Sequence, residues 1–277
     1  MAPETLLETY DRGPRGVLPP PVPGVRREYD GPLLRVTGLR DGMVVVPRDP
    51  GLTTAALDAL VARQRAYFAA RAMPFQWRTH GHDLPPDLTD RLRAAGLSPA
   101  STQTVMLGRC ADLTGEVPLP PGVRLREVTS RRDLRRIVDL VERVWAGDWA
   151  WLADHLYDRL AAAPGRTVVT VAEAEGRMVS VAWLVLHPDG PPGTNPGSDP
   201  EGHPEFDFAG LRGGTTLPEW RGRGLYRALV AARARSALER GVRHVMVDAS
   251  ADSEPVLRGL GLEAATTVTG YQWAPDD

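Results

Sequence analysis

The chain contains no lysine; all 33 of its basic residues are arginine. It therefore offers no side-chain amine of its own. It has a single cysteine, Cys110, in 277 residues. One thiol excludes an internal disulfide and gives no metal-thiolate cluster. No apolar run approaches the roughly 20 residues of a membrane span. The start, Met1 to Thr5, lacks the basic-then-apolar pattern of a signal peptide. A reduced, cytoplasmic setting is the expectation. A net charge of −2 gives no field for nucleic acid or an anionic membrane, so neither is expected as a partner. What remains is 42% hydrophobic and 25% charged residues, the composition of a soluble globular chain long enough for one large domain or two ordinary ones.

Residues 1–24 hold Pro19, Pro20, Pro21 and Pro23 and read as an irregular lead-in. The segments 33–36 and 43–46 read as strands around an Asp41-Gly42 turn. Thr53 can cap a helix carrying Leu57, Leu60, Val61, Tyr67 and Phe68. A strand at 75–79, a short helix at 87–97 and a strand at 102–107 follow. Pro118, Pro120 and Pro121 mark the boundary between two units, 25–115 and 121–277. The second unit reads β-α-α-β-β-β-α-β-α-β. Its first helix is capped by Ser130, and residues 188–204, rich in Pro, Gly, Asn and Asp, read as a flexible inserted loop.

Between the fourth strand of that unit and its next helix stands Arg221-Gly222-Arg223-Gly224-Leu225. A strand, a glycine turn and a helix start gather free N–H groups and the positive end of a helix dipole at one point, which suits phosphate. Arg221 and Arg223 add charge. Gly210, Gly213 and Gly214 suit a strand that bulges just upstream. Trp145 and Trp149 are spaced for one helical face and are candidates for an aromatic substrate wall against the alternative of core packing. His80-Gly81-His82-Asp83 lies in a polar turn without cysteine partners, and no metal is expected there.

The Arg221-x-x-Gly224-x-Tyr226 loop, its Leu217-Pro218-Glu219-Trp220 approach and the closing Leu260-Gly261-Leu262 resemble the GCN5-related N-acetyltransferase (GNAT) superfamily over residues 121–277. The resemblance implies an α/β fold with a mixed (α+β) sheet. It also implies acetyl-CoA as acyl donor, no metal, and transfer of acetyl to the amine of a small molecule. The family loop ends in Gly or Ala where this chain has Tyr226. Thr215, Thr216, Leu217, Arg221, Gly222, Arg223, Gly224, Leu225, Tyr226 and Arg227 are then the cofactor-binding positions, and a backbone N–H near Leu217 is expected to polarise the thioester carbonyl. Glu205 and Asp207 are the first candidates for a general base, with Glu127 and Asp148 behind them. The family's usual acid, a tyrosine, falls at Leu257; Ser253 and Ser250 are nearby donors, and Tyr226 and Tyr271 remoter ones. The tail of the first half parallels that of the second, with Arg93-Ala94-Ala95-Gly96-Leu97 echoing Arg258 to Leu262. This suggests a tandem arrangement whose N-terminal copy is degenerate, against the alternative of an unrelated α/β domain. Arg48-Asp49-Pro50-Gly51-Leu52 lacks the phosphate loop, and Asp49 would repel phosphate. A monomer or homodimer is expected. The alternative function is a non-catalytic CoA-binding or regulatory module.

Overall fold

The structure is a computed structural model describing residues 5–15, 22–188 and 206–275. The N-terminal half forms α1 (Leu6–Arg12), β1 (Arg26–Asp30), β2 (Leu33–Thr37), β3 (Gly42–Val45), α2 (Thr54–Ala69), β4 (Phe75–His80), α3 (Leu88–Ala94), β5 (Ser98–Pro99) and β6 (Gln103–Arg109). The C-terminal half forms β7 (Val123–Glu127), α4 (Arg131–Glu142), α5 (Trp151–Ala162), β8 (Thr167–Ala174), β9 (Arg177–Pro188), β10 (Phe206–Thr216), α6 (Leu225–Leu238), β11 (His244–Ala249), α7 (Glu254–Arg258) and β12 (Glu263–Trp273). The order expected for this half is the order found.

Three elements of the first half escaped the sequence: α1, β1 and the two-residue β5, which pairs with β12. The lead-in carries α1, whose entry is a capping box: the Glu8 N–H donates to Thr5 Oγ1 and the Glu8 carboxylate accepts from the Thr5 N–H. Strand β1 pairs antiparallel with β2. Thr53 caps α2 as expected, and Leu57, Leu60, Val61 and Phe68 face the core on one stripe. Gly42 opens β3 instead of closing a two-residue turn, and its missing Cβ leaves room for the Phe68 ring.

The strands form one sheet in the order β1-β2-β3-β4-β12-β6-β11-β10-β9-β8-β7. Pairing is parallel at β3–β4 and β10–β11 and antiparallel at the other joins. Each half thus runs strand, helix, parallel strand, helix, last strand: β3-α2-β4-α3-β6 and β10-α6-β11-α7-β12. The last strands are exchanged. β12 lies against β4 of the other half, and β6 lies against β11. The proline linker separates the halves in sequence, but the sheet runs straight through.

A buried ion triad stitches this seam. Asp248 on β11 accepts from Arg212 of β10 at 2.6 Å and from Arg78 of β4 at 3.1 Å through one oxygen. Burial pushes the Asp248 pKa up, but Arg212 and Arg78 outweigh it and hold the carboxyl well below the ordinary aspartate range. Its proton is therefore taken up by the unfolded chain first. The stability it contributes is fully present above about pH 4, the unperturbed aspartate value, and is lost as the pH falls below it. Asp248→Asn leaves two guanidiniums without their counter-charge and should cost about 3–5 kcal/mol near neutral pH. Denaturant melts at pH 7 and pH 3 should show the gap between variant and wild type narrowing with acid; a constant gap would contradict the ionised triad.

Candidate functional site

β10 ends in a helical turn, Pro218–Trp220, and the chain then enters α6 through Gly222 and Gly224, both at positive φ (71° and 80°). Gly224 is the residue that caps α6. Among the described residues no side chain accepts a hydrogen bond from that helix start, and its first turn holds no acid. The other half differs at the matching point: Thr53 caps α2, and the Asp49 carboxylate takes the Gly51 N–H at 2.8 Å. The start of α6 is thus left with donors and a positive dipole end, while that of α2 is satisfied by its own chain. A cavity of about 340 Å³ opens there, lined by Thr216, Trp220, Arg221, Gly222, Gly224, Leu225, Tyr226, Arg227 and Val256. Arg221 is tethered to β10 by its Nε donating to the Thr216 carbonyl at 3.3 Å.

Three of the expected cofactor residues sit elsewhere. Arg223 stacks its guanidinium on the Trp220 ring. Thr215 is buried and accepts the Trp145 indole N–H at 3.1 Å. Leu217 is a core residue whose N–H donates to the Val179 carbonyl at 3.0 Å. That N–H is therefore not available to a thioester, because β9 still runs beside β10 at this point, with Thr216 opposite Ser180. By strand alternation the N–H of Thr216 faces the opposite, open edge.

That edge is open because β10 and β11 pair only through Phe208, Ala209 and Gly210 and then part. The register of β10 with β9 slips between Arg212 and Thr215, across Gly213 and Gly214. Each glycine lies under an aromatic ring. A Cβ on Gly213 would fall 1.9 Å from the Trp183 ring, and one on Gly214 would fall 2.7 Å from the Tyr226 ring. The bulge leaves the carbonyls of Trp183 and Arg212 to Arg233 of α6, which donates to both while its Nε donates to Leu229 of its own helix. Burial pushes the Arg233 pKa down to about 10, so it stays charged at neutral pH. Burial raises the pKa of the Tyr226 phenol against the opposing pull of Arg233 and of Ser253 nearby. Ser253 and Tyr226, candidates from separate stretches, are thus brought together. Leu257, at the family's acid position, is buried in the core.

On the other side of the bulge lies a second cavity, about 350 Å³, at the seam of the halves. Tyr10, Arg15, Met43, Val46, Arg78 and His80 come from the first half, and His155, Arg159, Trp183, His187, Arg212 and Gly213 from the second. His80 shares a 3.0 Å hydrogen bond with the Tyr10 hydroxyl, and burial with Arg15 and Arg78 nearby pushes its pKa down to about 2. The Arg159 Nε donates to His155 Nε2 at 2.8 Å, which leaves the neutral ring's proton on Nδ1. Burial and Arg159 push His155 down to about 4. Both imidazoles are neutral at pH 7. His82 bonds Asp11 and Thr266, and Asp83 pairs with Arg15, so the His80 to Asp83 run is engaged by protein partners.

The tryptophan expectation needs correction. Trp145 and Trp149 follow the end of α4 in an irregular connection and share no helical face. Trp145 braces β10 through Thr215, and Trp149 packs on the α4–α5 core. Neither lines the seam cavity; Trp183 does. Trp183 sits in an apolar strand run and carries no sequence signal beyond the glycine pair it covers. Glu205 lies outside the described residues, as does the inserted loop from residue 189. Asp207 lies on β10 with its side chain outside the described atoms. Glu127 faces a different surface pocket, and Asp148 accepts the Ala150 N–H ahead of α5.

Two cavities lined by one bulged strand, the first at Arg212 and Gly213 and the second at Thr216 beside an uncapped helix start, have the form of a two-substrate group-transfer site. Residues 134–261 match the acetyltransferase (GNAT) family model. The chain is 29% identical over 208 residues to a mycothiol acetyltransferase of Saccharomonospora viridis, an alignment covering 70% of this chain and 63% of that protein. Its fold is similar to a GCN5-related N-acetyltransferase of Kribbella flavida (TM-score 0.66, 18% identity, 92% of this chain and 91% of that one). It is also similar to a tandem GNAT protein from the clavulanic acid biosynthesis pathway (TM-score 0.62, 16% identity, 93% and 86%). Residues 134–261 thus form an acetyltransferase (GNAT) family domain, and the overall fold is similar to that of a tandem GNAT protein.

Proposed function

We propose that this protein transfers the acetyl group of acetyl-CoA to the amine of a small molecule. The observation that carries the reading is the uncapped start of α6, opening into a cavity that reaches β10 at Thr216, while the seam cavity reaches the same strand at Arg212 and Gly213, before the bulge. The N–H groups of Leu225, Tyr226 and Arg227 and the charge of Arg221 suit a pyrophosphate. The free edge of β10 at Thr216 suits the amides of a pantetheine arm, as in strand addition. The donor supplies an acetyl thioester. The bulge positions its carbonyl, and the seam cavity presents the amine nitrogen, so that a C–N bond forms as the C–S bond breaks. The leaving thiolate takes a proton from the Tyr226 phenol, supported by Ser253, in place of the tyrosine missing at residue 257. Glu205 and Asp207 stand as the carboxylates for the amine's proton. Residues 25–115 form a GNAT-like unit that binds no CoA, since Asp49 occupies the donor its loop retains.

Calorimetry should find one acetyl-CoA site per chain; two would overturn the assignment of the first half, and none would overturn the proposal. Tyr226→Phe should lower kcat for thiol release about a hundredfold while acetyl-CoA affinity holds. Unchanged turnover would remove Tyr226 from the chemistry. Binding without thiol release across an amine panel would favour a regulatory CoA-binding module instead.

A further inference from the structure

Resting on that reading for the amine, we infer that the seam cavity selects an acceptor that also carries an anionic group, a carboxylate or a phosphate, held by Arg159. Four guanidiniums line the cavity, from Arg15, Arg78, Arg159 and Arg212, and no carboxylate is among its lining residues. Their counter-charges lie behind the wall and are unevenly shared. Arg15 is spent on Asp83 at 2.6 Å and Asp11 at 3.3 Å. Arg78 and Arg212 divide a single Asp248 oxygen. Arg159 has no ion pair among the described residues; its Nε goes to His155, its two terminal nitrogens make no ion pair, and the residue lines the cavity.

An arginine placed this way is unfavourable in the empty protein. Burial lowers its pKa first, and the like charges of Arg212 and Arg27 lower it further. A bound anion would relieve this strain, since a guanidinium fork matches a carboxylate or phosphate with two parallel hydrogen bonds. His80 and His155 are neutral and add polar contacts without charge. The same field opposes a polycationic amine. Met43 and His155 also border an adjoining groove of about 830 Å³ walled by Phe75, Trp151 and Trp273, with room for the apolar body of a longer acceptor. The first half, with no phosphate loop of its own, thereby acquires a role: it supplies one wall of the acceptor site.

The test is thiol release from acetyl-CoA with matched acceptors. β-Alanine and O-phosphoethanolamine carry the anion; propylamine and ethanolamine are their neutral partners. The anionic members should show KM values lower by about tenfold or more, and whichever does so tells carboxylate from phosphate. Arg159→Gln should bring the KM ratio of each pair close to unity, and Arg159→Lys should recover part of it. Met43→Glu, from the opposite wall, should reverse the preference. Equal KM values within both pairs, or a ratio that Arg159→Gln leaves unchanged, would overturn the inference. Calorimetry with O-phosphoethanolamine or β-alanine, without CoA, separates the two proposals. Anion binding without thiol release defeats acetyl transfer and keeps the anion pocket. Thiol release that ignores the anion does the reverse.

Discussion

Gly224→Asp should weaken acetyl-CoA binding by a hundredfold or more, about 3 kcal/mol, without unfolding the protein. The cause is charge, not bulk. A Cβ at this position would have its nearest neighbours at 3.8 Å, an ordinary contact. The positive φ of 80° would cost an L residue about 1 kcal/mol. Against that, aspartate at the N-cap would accept the N–H groups that now stand uncapped, recovering about 1 kcal/mol of helix stability. The same carboxylate would then sit where the pyrophosphate needs those donors. Gly224→Asn is the matched control, since asparagine tolerates this backbone and adds no charge. Calorimetry with acetyl-CoA and a thermal melt on both variants read the two effects apart. An aspartate variant binding as tightly as the asparagine one would refute an anion site at this helix start.

Gly213→Ala should be the most damaging single methyl in the site. The added Cβ would lie 1.9–2.4 Å from three atoms of the Trp183 ring, at a φ of 63°. Overpacking of this kind costs about 1–3 kcal/mol, and the left-handed backbone about 1–2 more. Because Trp183 forms a wall of the seam cavity proposed to take the acceptor, its displacement should raise the acceptor KM together with the loss of stability. Trp183→Ala placed in the same chain removes the clash and leaves the backbone term. The double variant should therefore be less damaged than the two single losses added together. Strict additivity would mean that the ring moves aside freely and that Gly213 is not held by it.

The C-terminal half was legible because each element carries its own local signal. Ser130 caps α4, an Ala/Leu/Arg-rich run marks α6, and the Pro218 to Gly224 run places the loop after the fourth strand. The lead-in was misread because α1 is one short helix flanked by proline and glycine, and only the Thr5–Glu8 box announces it. β1 was missed because Arg26 to Asp30 is charged and half exposed, as an edge strand is. The seam was beyond reach in principle. Alternation tells which face of a strand is buried, but not which strand lies beside it. Nothing in residues 263–273 says that they pair with residues 75–80. The seam cavity depends on that pairing, so Arg78 and Arg159 could not be placed together from the sequence, nor could Trp183 be placed on its wall.

The exchange of β6 and β12 also governs how this chain can be taken apart. A protease that nicks the proline linker frees no domain, because each fragment remains woven into the other's sheet. Either fragment expressed alone would leave β4 or β11 as a bare edge, and bare edges recruit foreign strands. Two chains that pass β12 to one another satisfy the same edges, so interlocked dimers are the natural by-product of refolding at high concentration.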